Sequence, residues 1–348
     1  MNEFYNGIAS KEVVQEIKRV KKQISENAKS GAVSYIFVTD MHIDTTQSKD
    51  NYELISDSLK YASFIADTES EIDFIVLGGD CITGWFDKAR AKDGISAVVN
   101  AVKNCKKPII SAVGNHDNNS NPTTKDNPTE QISKAELKEI MLNPFKDCGY
   151  VFDTESEEGL YYYVDLPHKN TRVICLDTYA NAEMLCKEGK WLAQKALGVK
   201  AENWKYIIIL HLPVDERYRA DGLPCLSDDM KEILKSFNAR AKANCSFGEY
   251  DFSDYQSKII ASSFGHCHNS VVEYNPEFGF FVSCTGCAGV VGKGEFKNIS
   301  HDDEPKVSRF SIDNLQKDRY LFDVLLSSED SFSRIRFGNG ADKNSNKL

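Results

Sequence analysis

Seven histidines occur in the 348 residues, and five of them close short apolar runs. His42 follows "YIFVTDM", His116 follows "IISAVGN", His211 follows "YIIIL", and His266 and His268 follow "IIASSFG". Asp40, Asp80 and Asn115 hold equivalent positions at the ends of such runs. His168, in the turn "PHKN", and His301, in the loop "SHDDEP", stand apart from the pattern. Carboxylate, amide and imidazole donors gathered from several runs, with no sulfur, suit borderline divalent cations such as Mn, Fe, Co or Zn. A structural zinc knot would instead draw on a closed, sulfur-rich set from neighbouring residues. In "FGHCHNS" a cysteine separates two of the histidines. Side chains alternate along an extended segment, so Cys267 is expected to face away from His266 and His268.

The elements that position these residues are readable as two periodicities. The runs at 32–40, 72–80, 108–117, 206–211 and 258–268 are nearly continuous in Ile, Val and Phe, as buried strands covered on both faces are. Between several of them lie helical patterns. Val13, Ile17, Val20 and Ile24 share one face over 10–29, with Gly31 as a stop. Leu54, Ile55, Leu59, Ala62 and Ile65 do so over 51–66, and Ile95, Val98, Val99 and Val102 over 94–104 behind Asp93 as N-cap. Strands alternating with helices predict an α/β layered domain, with ligands beyond the carboxyl ends of the strands. Residues 118–148 read as an insertion, a polar loop and then a helix with a capping box from Ser133 to Glu136. A second insertion over 213–257 carries a helix at 227–243. "LYYYVDLPHKNTRVICLD" and "RYLFDVLLSSEDSFSRIRFGNG" read as β-hairpins, and residues 341–348 as a disordered tail.

Composition narrows the function classes. A net charge of −10 and the acidic stretch "FDTESEEG" argue against a nucleic-acid partner, which usually selects a basic stripe. No run of roughly 18 apolar residues predicts a membrane span. The opening "MNEFYNGIASKEVV" lacks the apolar run of an export signal, which predicts a cytoplasmic protein whose ten cysteines are free thiols. "CTGC" (284–287) is a lone C-x-x-C without a second pair at zinc-ribbon spacing.

In chain order, "DMH" (40–42), "GGD" (78–80), "GNHD" (114–117), His211 and "GHCH" (265–268) resemble the five blocks of the calcineurin-like metallophosphoesterases. The resemblance implies a four-layer αββα sandwich of two mixed β-sheets flanked by helices, with insertions and a C-terminal β-hairpin. It implies one domain over 1–340, with a core at 33–290 and an extension at 291–340. Two divalent ions (Mn, Fe, Zn or Co) would sit at one edge of the sheets. Asp40, His42, Asp80 and His268 would hold one, and Asp80, Asn115, His211 and His266 the other, with Asp80 as the bridge. His116 would serve the leaving group, and a metal-bridging hydroxide would attack a phosphate mono- or diester. Thr83 stands where the family often carries an acid or amide that orients this histidine. The absence of the second Asp and the Arg of "GDYVDRG" argues against a protein Ser/Thr phosphatase. Thr83 in place of a tyrosine argues against an Fe(III)-tyrosinate site. The implied partner is a small phosphorylated substrate. A nuclease of the same fold and a non-catalytic scaffold like the retromer subunit are the alternatives. Arg217 and Arg219, six and eight residues after His211, are candidates to clamp a second phosphate or a carboxylate. Trp85, Phe86, Asn118, Asn119 and Tyr218 are further candidates for substrate choice.

Overall fold

A computed structural model of the chain describes residues 11–43, 49–120, 127–177, 182–199, 204–218, 225–268, 271–285, 320–338 and 346–347. Two sheets form its centre. The first contains β1 (Val33–Val38), β2 (Phe74–Leu77), β3 (Ile109–Ser111), β13 (Tyr320–Ser327), β14 (Phe332–Gly338) and β15 (Asn346–Lys347). Its order is β15-β14-β13-β1-β2-β3, with β1, β2 and β3 parallel. The second contains β4 (Val151–Phe152), β5 (Tyr162–Leu166), β6 (Thr171–Cys175), β7 (Lys205–Ile209), β10 (Lys258–Phe264), β11 (Val271–Asn275) and β12 (Phe280–Cys284). Its order is β11-β12-β10-β7-β6-β5-β4, with β6, β7, β10 and β12 parallel. Alternate residues of β7 divide between two cores. Ile207 and Ile209 belong to the one shared with the first sheet, and Tyr206 and Ile208 to the one on the outer face. Polar pins also join the sheets: the Tyr35 hydroxyl meets Ser263 Oγ at 2.7 Å, and the Ser111 amide donates to the Tyr162 hydroxyl at 2.7 Å.

Helices cover both outer faces, completing the four layers. α1 (Lys11–Asn27), α2 (Lys49–Thr68) and α3 (Lys88–Val102) accompany the first sheet. Val13, Ile17, Val20 and Ile24 of α1 are fully buried at the spacing that the sequence pattern predicted. α3 begins six residues earlier than expected. Asp87 rather than Asp93 is its N-cap, accepting from the Arg90 amide at 3.0 Å, because buried Ala91 extends the apolar stripe one turn before Ile95. The Ser133–Glu136 capping box is present, opening a single α-turn, α4 (Lys134–Leu137), that widens into a π-helical turn (Lys138–Leu142) and then tightens into a 3-10 stretch (Asn143–Cys148).

Three segments differ from their expected status. The expected C-terminal hairpin β13–β14 is present, and it is part of the core rather than an extension, since β13 pairs with β1 in the middle of the first sheet. Residues 213–257 carry α6 (Asp228–Ala239), which follows α5 (Ala182–Trp191) and seals the outer face of the second sheet with Met230, Ile233, Leu234 and Phe237. α6 stops before residue 243 because Arg240 turns left-handed (φ 56°) and the Ala241 amide closes on the Ser236 carbonyl. The chain then makes the hairpin β8 (Lys242–Cys245) and β9 (Gly248–Asp251). Of the expected disordered tail, Asn346 and Lys347 pair with Arg334 and Ser333 in β14, and the remainder lies outside the described residues. Nine cysteines are described and none is disulfide-bonded, while Cys287 of the C-x-x-C and His301 lie outside the described residues. No helix among the described residues is long and apolar enough to cross a membrane.

Candidate metal centre

The carboxyl ends of β1, β2, β3, β7 and β10 meet at one edge of the sandwich, and each ends in a donor. Main-chain bonds continue past the strands there, from the Asp40 amide to Gly79 O and from the His42 amide to Asp80 O, both at 3.0 Å. They fix the backbone that carries the side chains. Asp40, His42, Asp80, His266 and His268 all adopt positive φ, between 44° and 63°. Non-glycine residues in this region cost on the order of 1 kcal/mol or more each, and such strain clusters at functional sites. The segment through Cys267 is therefore a turn and not the extended stretch expected from sequence. Cys267 nonetheless faces away from the donors, buried in the outer core of the second sheet.

Donor atoms converge in three groups, each within 4.8 Å: Asp40, His42 and His268; Asp80, His211 and His266; and His42, Asp80 and His116. His268 Nε2 lies 3.1 Å from Asp40 Oδ1 and from His42 Nε2. His211 Nε2 lies 3.1 Å from Asp80 Oδ2 and 3.2 Å from Asn115 Oδ1, which is 3.0 Å from His266 Nδ1. The Gly78 carbonyl accepts from His211 Nδ1 at 2.8 Å, turning Nε2 toward the centre. Asn115 and His116 are half-buried, and the other six are buried.

Electrostatics suits cations. Burial alone would raise Asp40, but the charge and hydrogen bond of His268 outweigh it and bring its carboxyl to about 2. Against the same burial, His211 first and then His116 hold Asp80 well below its usual range. Burial, then the charge of His116, lowers His42 to about 3; burial, then His211, lowers His266 to about 4. His211 moves the other way, to about 10, because Asp80 overrides its burial. Asp40 and Asp80 are thus held ionised and His42 and His266 neutral, the protonation states that divalent cations bind, whereas His211 would release a proton on taking one.

Supporting residues complete the edge. Buried Asp117 accepts from the backbone amides of Asp80 (3.0 Å), Cys81 (2.7 Å) and Gly114 (2.8 Å), so it sets the shape of two donor loops at once. Its carboxyl is raised to about 6 by burial and then by Asp80. Thr39 Oγ1 donates to Asp40 Oδ2 at 2.8 Å. Two glycines admit close approach: a Cβ on Gly114 would lie 2.1 Å from Asp80 Oδ1, and one on Gly265 would lie 2.1 Å from Thr39 Oγ1. The sequence motif held Asp117 in plain view, as the last letter of "GNHD", but nothing local marks which amides it binds. His116 is oriented without an acid: its Nδ1 donates to the backbone carbonyl of Thr83 at 2.7 Å.

Other sequence candidates fall elsewhere. His168 pairs with Asp73 at 3.2 Å. Arg217 is exposed and pairs with Asp215 at 3.4 Å and Glu277 at 4.0 Å, in a cleft that none of the eight edge residues lines. Arg219 lies outside the described residues. Tyr218 is buried, its hydroxyl 2.5 Å from Glu273 Oε1. Phe86 is in the core, and Asn119 fastens its backbone, donating to Phe86 O at 2.7 Å and accepting from Phe86 N at 3.1 Å. Trp85 packs partly buried against the same core. Asn118 lines a pocket beside Asn115.

Residues 33–270 match the model of the calcineurin-like phosphoesterases, and the chain belongs to that family. No curated protein matches the chain at a significant level. Among solved structures, a dimetal phosphatase from Danio rerio superposes with a TM-score of 0.57 at 14% identity, covering 91% of this chain and 98% of that one. The purple acid phosphatase PPD1 from yellow lupin (Lupinus luteus) seeds gives 0.48 at 13% identity, over 91% and 53%. The first likeness supports the fold. The ligand geometry described above is this chain's own.

Proposed function

We propose that this protein is a dinuclear metal-dependent phosphoesterase acting on a small phosphate mono- or diester. The observation that carries the reading is the convergence of three donor groups linked in a chain, His42 shared by two of them and Asp80 by two. Asp40, His42, Asp80 and His268 would hold one divalent cation, and Asp80, Asn115, His211 and His266 the other. Such a pair supplies, when bound, Lewis-acid polarisation of phosphoryl oxygens and a water of lowered pKa.

The chain's own groups do the rest. Asp80 Oδ2 faces both positions, 3.8 Å from His42 Nε2 and 3.1 Å from His211 Nε2, while Oδ1 accepts from the His116 amide at 2.9 Å, so one residue can serve both and its charge offsets cation–cation repulsion. Asn115 adds a neutral oxygen, keeping the set from accumulating excess negative charge. His116 sits at the rim with its side chain 19% exposed, its Nε2 3.9 Å from Asp80 Oδ2. With Nδ1–H engaged by the Thr83 carbonyl, Nε2 is the atom that, in the imidazolium form, gives its proton to the leaving-group oxygen and leaves the ring neutral. A carbonyl fixes the ring's orientation and tautomer as an acid side chain would, which explains how Thr83 is compatible with a working histidine.

The test is a screen of the Mn²⁺-loaded protein against a chromogenic monoester, a chromogenic diester and cyclic nucleotides, repeated with two variants. His116→Asn should keep its metal and lose about 10²–10⁴-fold on a poor alkoxide leaving group. It should lose far less on a nitrophenolate, which departs without a proton. His211→Ala should lose metal and injure both substrates alike. Equal loss on both leaving groups by His116→Asn with metal retained would remove the proton-donor role. Inactivity of the loaded protein toward every ester would remove the reading itself.

A further inference from the structure

Beside the candidate metal ligands is a pocket of about 90 Å³, lined in part by Gly114 and Asn115. A single water needs about 10–15 Å³, so the space takes an organic group of several heavy atoms. Val113, Ile132, Leu137 and Leu160 supply apolar walls. The polar wall is an ion pair between Lys134 and Asp177, with Asn118 nearby. Asp177 is buried, whereas Lys134 keeps 27% of its side chain exposed. Behind this wall Glu188 is fully buried, and its Oε1 accepts from the Asp177 amide at 2.7 Å. Burial, then the charge of Asp177, pushes the Glu188 carboxyl well up, so it adds no negative charge. The wall is thus balanced, one cation against one anion. An anionic group entering it would face the Asp177 carboxylate and find its cation already engaged. An apolar body with one hydrogen-bonding function meets no such penalty.

We propose that this pocket binds the esterified organic group of the substrate, a compact and uncharged moiety, mostly apolar with one hydrogen-bonding function, and thereby sets substrate specificity. This rests on the phosphoesterase reading, because Asn115 is at once a proposed metal ligand and part of the pocket lining. It also assigns specificity to the segment from Ile132 to Leu137 and not to Arg217.

The experiment uses the full, metal-loaded chain with n-alkyl phosphates from methyl to hexyl, and calorimetry with the matching alkylphosphonates. We expect kcat/KM and phosphonate affinity to rise about fourfold per methylene until the pocket is full, then to level off. Ile132→Phe, which fills the space, should cut the butyl-to-methyl ratio at least tenfold. Leu137→Ala, which enlarges it, should move the plateau out by one or two carbons, and it decides the matter if circular dichroism shows Ile132→Phe unfolded. An alkanediyl bisphosphate of matched length should be the poorer substrate. A flat chain-length series with hydrolysis intact, or a preference for the bisphosphate, overturns the pocket and leaves the phosphoesterase reading standing. Absence of both hydrolysis and phosphonate binding overturns the phosphoesterase reading, and the pocket assignment falls with it.

Discussion

Two regions of this molecule concentrate charge, and they handle it in opposite ways. In the cleft around Arg217, lysine and arginine meet the carboxylates. Lys231 contacts Glu216 at 2.8 Å and Asp228 at 2.9 Å, Lys235 pairs with Glu277, and Arg217 with Asp215. At the metal edge, Asp40 and Asp80 are deeply buried yet face imidazoles and backbone amides. No lysine or arginine among the described residues pairs with them. Ion pairs at a surface contribute roughly 0–1 kcal/mol and leave no unspent attraction for a ligand. Buried carboxylates opposed by weak, neutralisable bases retain an attraction that a divalent cation can use. Charge alone therefore does not mark a binding site. What marks it is how the protein itself has countered that charge.

The sharpest way to break this contrast is Asp80→Asn. Bound metal should fall from about two ions per chain to below one. Activity should drop by more than the 10–100-fold typical of losing an outer-shell partner. Elemental analysis beside each rate checks both, and two ions retained by the variant would end the bridging role. Asp117→Ala comes next. It strands three backbone amides, each worth about 1–3 kcal/mol when buried and unmet, so a loss of about 3 kcal/mol or more is expected in chemical denaturation of the metal-free protein. A loss under 1 kcal/mol would show that these loops hold their shape without it.

Glu188 sharpens the comparison from a third side, as a buried acid whose nearest charge is another acid. Its folded pKa lies above the unfolded value, so the folded state binds the extra proton and stability falls as pH rises from about 4.5 through the folded pKa. Glu188→Gln should remove that part of the decline. Melting with chelator present at pH 5 and pH 8 measures it, and parallel curves for variant and wild type would show Glu188 ionised in the fold. The smallest effect is expected at Arg217, 48% exposed within its paired network. Arg217→Ala should alter kcat/KM by less than about twofold and stability by less than about 1 kcal/mol. A tenfold loss on substrates with a second anionic group would restore it as a clamp.

Most of the metal edge was legible because it is written at strand ends, and strand ends are set by where apolar runs stop. Asp40, Asp80, Asn115, His211 and His266 each follow such a run directly or within two residues. The layered fold followed from the same runs alternating with helical stripes. Less was legible where a contact joins distant segments through the main chain. The Thr83 carbonyl that orients His116 has no side-chain signature, and neither do the amides gathered by Asp117. The placement of β13 beside β1 depends on a pairing across almost the whole chain, which no local pattern encodes. Lys134 and Asp177 were missed for the same reason, since only the fold brings α4 to the end of β6.

The closeness of Gly114 and Gly265 to the donor carboxylates bears on how the proposed activity could be redirected. At 2.1 Å from Asp80 Oδ1 and Thr39 Oγ1, even a single methyl group displaces a donor, so variation at these two sites ends in loss rather than in new chemistry. One wall of the pocket beside them is made of ordinary side chains from α4 and its flank, where Ile132 and Leu137 have many acceptable replacements. A laboratory library aimed at new esters should therefore randomise that wall and leave the glycines fixed. The fold separates a frozen rim of candidate metal ligands from a neighbouring surface that is free to diversify.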